Sequence, residues 1–385
     1  MANSAFLQLA NPIVTQKSYL TGWRFTTNPW QFNLRDGTPT LVASTTAYSC
    51  DQTIIQSEEP NNVEFSRDIT VANTLKTNIV NAGTSGRLAI IQYIDRATAA
   101  GMVAIPEFSG RMFGFTNTST VDVKMSLLYF STDTPPLAAI TSWGINPTFD
   151  GVFTEIKSAN DPVGTLTTTP NSVQFPKYDL TAVPTNSHIA IVVYTTTDLI
   201  PNQAINWADV SIVRGPLGVA SNPQTADDVL RACEFYYQHS YDNGVIPGTI
   251  TTVGESHTSL HISFETSGPD SWALMAGVLS TVYTTPMRAA PIHNYYTSSS
   301  GLIDNVDWTW FEYDGAGAIT PTGSGVSPVT TWEFGNASNK GIFYPRAAAG
   351  TSFGALTAPD PTTNNTRGGY LSNHHVADAR LGVAP

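Results

Sequence analysis

Short alternations of apolar and polar residues run through most of the 385-residue chain, with the period of two that marks β-strands. In VDVKMSLLYF, Val121, Val123, Met125 and Leu127 fall on one face, and Asp122, Lys124 and Ser126 on the other. HIAIVVYTT, from His188, is a nearly continuous apolar run of strand length, which predicts a central strand covered on both sides. INWADVSIV from Ile205, LHISFET from Leu260 and VDWTWFEYDG from Val306 extend the series. Turn signals punctuate it: RDG at 35–37, TPP at 134–136 and FDG at 149–151. The cadence is that of an all-β protein made of sandwiches or barrels.

One stretch breaks the pattern. Thr225 followed three residues later by Asp228 approximates a capping box, with Asp where Glu is usual. Ala226, Leu230, Cys233 and Tyr237 then recur at steps of four, three and four, which is one face of a helix. Asn243-Gly244 supplies a stop, so the spacing predicts a helix over 226–242. Upstream, RGPLGVASNPQ at 214–224 reads as a linker. The expected organisation is an N-terminal arm over 1–25 and a jelly-roll-like β-sandwich over 26–218. Linker and helix follow over 219–244, and a second β-sandwich over 245–385. On this plan Leu230, Cys233 and Tyr237 form a seam between the domains, while Phe235 and Tyr236, off the stripe, cover another surface such as a neighbouring subunit. No internal repeat of 20–50 residues is present, which argues against a solenoid or propeller.

Composition narrows the function. Only 12% of residues are charged, about half the usual share, while 41% are hydrophobic. The surface must then be filled with Thr, Ser and Asn, which suits exposed strands and packing against many neighbours. Aromatics at 10% supply core material, so disorder is not expected. The net charge is −12 and the 18 basic residues are scattered singly, which argues against a nucleic-acid partner. MANSAFLQLANPIVTQKSYL lacks the basic and long apolar regions of a secretory signal. No run approaches the roughly 18 apolar residues of a membrane span, so membrane insertion is not expected.

Catalytic motifs are missing. No P-loop, GxSxG or HExxH occurs, and no cofactor is implied. Glu58 and Glu59 are adjacent on a strand and would point to opposite faces, so they fail as a glycosidase acid pair. His374, His375 and Asp378 lack a convergent further ligand, and the Asp-Gly turns at Asp36 and Asp150 are too short for a calcium set, so no metal site is expected. Cys50 and Cys233 are too few for a disulfide framework; they read as buried small side chains, with one long-range disulfide as the alternative. The chain reads as a non-enzyme. Aromatic platforms for sugar rings are the remaining chemistry, and Trp30, Trp143 and Trp207 are the candidate glycan-binding residues, with core burial as the competing role for each.

Three C-terminal motifs resemble a module of bacteriophage structural proteins, in tail-fibre and head-associated chains. That module opens with CQRYYxxSYxxG, continues with a strand near PMRAAPT and ends near HYTADAEL. Here the counterparts are CEFYYQHSYDNG at 233–244, PMRAAPIHNYY at 286–296 and HHVADARL at 374–381. Glu234-Phe235 replaces the usual Gln-Arg, and Arg380 replaces an acid. The N-terminal half is similar to the domain that precedes the module, through NPWQFNLRDGT at 28–38, AYSCD at 47–51, IIQYIDRATAAGM at 90–102 and the strand at 121–130. The resemblance implies a jelly roll similar to carbohydrate-binding modules, then the helix and a second sandwich, on the exterior of a virion. It carries no catalytic residues. It implies a structural component (capsid decoration, head fibre or tail fibre) whose partners are copies of itself, with a trimer favoured, other virion proteins and a host-surface glycan. A glycan-binding adhesin and a shell-forming capsid protein are the alternatives.

Overall fold

The computed structural model describes residues 15–16, 40–41, 46–50, 53–60, 62–68, 74–80, 86–103, 105–158, 161–221, 225–242, 245–264, 272–276, 280–283, 286–303, 305–313, 319–328, 332–333, 341–343, 346–347 and 367–381. The described residues are overwhelmingly β, with antiparallel pairing throughout the main sheets and two helices. Two compact units divide the chain. The first comprises Met1–Cys233 with Arg380–Ala384, and the second Glu234–Ala379 with Pro385. Of the arm expected over 1–25, only Thr15–Gln16 lies within the described residues; it pairs in parallel with Ala220–Ser221.

The first unit is a sandwich of two sheets. One sheet runs, in spatial order, Thr154–Ile156, Val121–Phe130, His188–Thr195, Leu88–Ile94, Thr53–Ser57 and Thr46–Cys50, with Gly164–Leu166 also paired to Val121–Phe130. The other runs Asn171–Tyr178, Phe108–Thr116, Ala204–Arg214, Thr74–Ile79, Val63–Asp68 and Thr40–Leu41. Between them lies the main core, to which Val121, Val123, Met125 and Leu127 contribute from one sheet, and Phe175, Ile205, Trp207 and Ile212 from the other. The strand from His188 is buried at every position, as its unbroken apolar run requires. Tyr178 crosses the core to donate a hydrogen bond to the Met125 carbonyl, 2.5 Å away, and burial raises its phenol well above the usual range. It is therefore a fixed neutral donor joining the two sheets.

A short helix, Arg96–Ala99, was not apparent in the alternation. Asp95 caps it, its carboxylate accepting from the Ala97 and Thr98 N–H groups at 2.8 and 3.2 Å. The second helix, Ala226–Glu234, begins as its sequence predicts. The Thr225 hydroxyl accepts from the Asp228 N–H at 3.1 Å and donates to the Asp228 carboxylate at 2.7 Å. It ends eight residues earlier than the expected 242, after about two and a half turns. Phe235, Tyr236 and Tyr237 are poor helix formers with strong β-preference. Tyr237–His239 instead forms a strand on Arg367–Asp378, with Tyr237 opposite Asp378. Tyr237 thus leaves the helical stripe assigned to it.

In the second unit the long strand Arg367–Asp378 is the hub. Its first half sits between Ser256–Phe264 and Asn305–Tyr313, extended outward by Trp272–Ala276 and Ile319–Pro328. Its second half pairs with Tyr237–His239 and Ile292–Tyr296. The core beside that second half is tyrosine-rich, with Tyr236, Tyr237, Tyr241, Tyr283 and Tyr295 all buried.

Candidate functional site

Alternation along the first unit's inner strands sends Lys124, Ser126, Leu128 and Phe130 away from the main core, on the same face as Tyr93, Val192 and Tyr194. In a bare sandwich that face meets water. Here it is a second apolar cluster, closed by Ala139, Ile140, Phe153 and Leu381. The cover is the chain between Phe130 and Thr154, which lies across the sheet as a strap and includes a small hairpin, Ile140–Ser142 with Thr148–Phe149.

Two buried polar side chains fix the strap. Gln56, 2% exposed, uses its amide as a strand neighbour would: Nε2 donates to the Ile140 carbonyl at 2.5 Å and Oε1 accepts from the Ile140 N–H at 3.0 Å. The Tyr93 hydroxyl donates to the Pro136 carbonyl at 2.6 Å, and burial keeps its phenol protonated by raising its pKa. Phe153 of the strap packs on Tyr93 and Phe130 of the sheet, with ring centroids 5.3–5.9 Å apart among the three.

The rim of this covered face combines aromatic and polar groups. Trp143, just after the first hairpin strand, and Phe149 on the second are half-buried against the cluster, and Ile145 between them is exposed. Phe149 meets Tyr194 edge to face at 6.4 Å. The Lys124 ammonium, buried beneath the hairpin, donates to Asn146 Oδ1 at 2.9 Å and Asp161 Oδ2 at 2.7 Å. A buried cation requires such pairing to offset its lost hydration. Beside it the Ser126 hydroxyl donates to Glu155 Oε1 at 2.9 Å, and burial pushes the neighbouring Tyr194 phenol up. At another edge of the cluster, the Arg380 guanidinium stacks over Tyr48, 3.9 Å from the ring centroid, while the Tyr48 hydroxyl donates to the Leu381 carbonyl. Half-exposed rings beside an exposed amide and carboxylate can receive a polyhydroxylated ligand: the ring face takes C–H groups, and Asn146 and Asp161 take hydroxyls.

The three tryptophans proposed from the sequence do not come together. Trp207 is fully buried in the main core, its indole N–H donating to Thr77 Oγ1 at 2.9 Å, so it is removed from the glycan-binding set. The pairing of its strand with Phe108–Thr116 shifts register just after it, between Trp207 and Asp209. Trp30 lies outside the described residues. Trp143 alone of the three has a partly exposed ring in the described structure. Phe149, Asn146, Asp161 and Lys124 were not singled out from sequence; the FDG turn at 149–151 was the available signal, because it marks where the hairpin ends.

Of the residues assigned to a seam, Leu230 is half-buried and Cys233 buried on the helix. Phe235, Tyr236 and Tyr237 are held by the second unit's own backbone. The Phe235 carbonyl accepts from the Arg288 N–H at 2.7 Å, and the Tyr236 carbonyl from the Ala379 N–H at 2.8 Å. Tyr236 and Tyr237 are thereby core residues of that unit.

His374 and His375, consecutive on one strand, point to opposite faces. His374 is fully buried, stacks on Tyr241 at 3.8 Å and has both ring nitrogens engaged. Nε2 donates to the Thr251 carbonyl at 2.9 Å, which leaves Nδ1 to accept from the Ser240 hydroxyl at 3.1 Å. Burial and the neighbouring imidazoles hold His375 down to about 3, and burial alone holds His293 down to about 4. His375 and His293 are therefore neutral structural imidazoles. Among the described residues no group of three or more His, Cys, Asp or Glu is placed to hold a metal ion.

No family model and no curated protein matches the chain. Solved structures similar to it include the carbohydrate-binding module TmCBM61 in complex with β-1,4-galactotriose, at 10% identity and a TM-score of 0.24, covering 42% of this chain and 88% of that one. The tandem CBM22-1–CBM22-2 domains of Paenibacillus barcinonensis Xyn10C are similar at 9% identity and a TM-score of 0.24, over 89% of this chain and 97% of that one. The enzymatically active domain of tailspike protein 4 of bacteriophage CBA120 is similar at 12% identity and a TM-score of 0.23, over 43% of this chain and 19% of that one.

Proposed function

We propose that the chain is a non-enzymatic structural component of a phage particle's exterior that contacts glycan through the first unit. The observation that carries the glycan part is Trp143. It is held half-buried on a strap fixed by Gln56 and Tyr93, three residues before Asn146, whose amide oxygen shares the Lys124 ammonium with Asp161. A ring held in place before the ligand arrives loses little entropy on binding, which favours a sugar-stacking role. The particle-exterior part takes its support from the sequence motifs at 233–244, 286–296 and 374–381, and from a neutral-polar, acidic surface suited to packing among many copies.

The test is binding of the labelled full chain to an array of bacterial surface polysaccharides and β-linked oligosaccharides. Saturable binding to at least one glycan class is expected. Trp143→Ala should weaken it by about five- to 150-fold, if a sugar stacked on the ring is worth about 1–3 kcal/mol, as a base stacked on an aromatic side chain is. Binding that survives the substitution unchanged in a folded protein, or no glycan bound at all, removes the glycan reading.

A further inference from the structure

We infer that two loops of the second unit, 245–254 and 297–303, form a preorganised apolar surface through which the chain binds a second copy of itself. Of the ten exposed large aliphatic residues among those described, five lie here: Ile246, Ile250, Val253, Leu302 and Ile303, each 52–65% exposed. The loops meet at two glycines. Gly248 and Gly301 adopt φ of 90° and 68°, and a Cβ built on Gly301 would collide with the Gly248 carbonyl oxygen. Only glycine permits both the conformation and the approach. The contact places Ile246 and Ile250, two residues either side of Gly248, next to Leu302 and Ile303.

Neither loop is free to collapse and hide these side chains. The Gly248 N–H donates to the Tyr241 hydroxyl at 3.0 Å, and the Thr251 carbonyl accepts from His374 at 2.9 Å. On the other loop, the Leu302 N–H donates to Thr297 Oγ1 at 2.9 Å, and the Ser298 hydroxyl and Ser299 N–H donate to the Asp307 carboxylate at 3.0 Å. The surface is displayed by its own hydrogen bonds, and docking on it carries a small ordering cost.

Charge selects the occupant. VIPGTITTVG and TSSSGLI contain no ionisable side chain, although the chain as a whole carries −12. An anionic membrane surface would find no Lys or Arg in either loop to hold it and would meet a strongly acidic protein. A second copy meets a neutral, apolar surface equal to its own. The five side chains present roughly 500 Å², more than half of the about 800 Å² that each partner contributes to an interface of standard size. Patches of this kind on soluble proteins mark interaction sites. Asp242, exposed just before the first loop, places a like charge at the edge of the contact on both copies, so the contact should tighten with salt.

Sedimentation equilibrium of the full chain, over about 1–100 μM to span the affinities of ordinary self-association, tests the inference. A concentration-dependent oligomer that strengthens with added salt is expected. Ile250→Asp with Leu302→Asp should weaken it at least 100-fold, and Ile250→Thr with Leu302→Thr, which adds no charge, at least tenfold. Circular dichroism melts confirm that the variants fold. Both variants should retain glycan binding through Trp143, so failure here is distinguishable from failure of the glycan reading. A chain that stays monomeric throughout, self-association unchanged in both folded variants, or flotation of a monomeric wild type on anionic vesicles would each overturn the inference.

Discussion

Lowering the pH from 7 to 5 should destabilise the second unit, because two of its imidazoles are held neutral by burial. His375 is pushed down to about 3 by burial first and then by repulsion from His293, His239 and His374. His293, paired through Nε2 with the Tyr283 hydroxyl at 2.8 Å, is pushed down to about 4 by burial. In the unfolded chain both titrate near 6.5. As pH falls through that value the unfolded state binds protons that the folded state refuses, so unfolding becomes more favourable. The stabilisation is fully present above about 6.5 and is lost progressively as pH falls towards the folded values. By pH 5 each group has given up about 2 kcal/mol, or about 4 together, a large part of a domain's usual 5–15 kcal/mol.

Carboxylates titrate mostly below this window, so the slope between pH 7 and 5 isolates the histidines. Urea unfolding followed by tyrosine fluorescence at pH 7, 6 and 5 measures it, and His375→Asn should remove about half of the slope. A direct check is ¹³C-labelled histidine NMR on the folded chain, in which neither ring should titrate above pH 5. A His375 resonance moving with a midpoint near 6.5, or stability unchanged between pH 7 and 5, would refute the reasoning.

Two further outcomes follow from buried polar groups in the first unit. Gln56→Ala strips both partners from the Ile140 backbone; it should cost about 2–4 kcal/mol, read from urea midpoints, and speed amide exchange at Ile140 while the main-core amides stay protected. Arg111 and Asp209 form an ion pair at 2.9 Å with side chains 6% and 0% exposed. Asp209→Ala should therefore cost about 3–5 kcal/mol, whereas Arg111→Met with Asp209→Leu should recover most of it in thermal melts.

The strands were legible because alternation and burial answer to the same geometry. Val121, Val123, Met125 and Leu127 could be assigned to a core from their spacing alone. The helix start was equally local, since Thr225 and Asp228 satisfy each other within one turn. Its end was not. Cys233 and Tyr237 keep helical spacing, but the β-preference of Phe235, Tyr236 and Tyr237 finds a partner 141 residues further on, where Tyr237 meets Asp378, and spacing carries no information about that partner. Trp207 takes the core role of the two that the sequence left open to it, for a related reason: a tryptophan on an alternating strand looks the same whether its face meets water or another sheet.

Lys124 shows most clearly what decides the candidate site. Its position on the strand sends it away from the main core, which alternation predicts correctly, yet its side chain is only 4% exposed. The difference is made by the hairpin at 140–149, which brings Asn146 over the ammonium, and by Asp161. A solvated lysine would leave the hairpin tip without its polar anchor; a buried one requires the tip to stay down, because lifting Asn146 leaves a desolvated cation short of an acceptor. The same contact therefore sets the height of Trp143 above the sheet. On this reasoning the polar residue that reads as the least remarkable position in VDVKMSLLYF controls whether the aromatic rim is presented, and the rim exists only because the strap and the sheet each supply half of it.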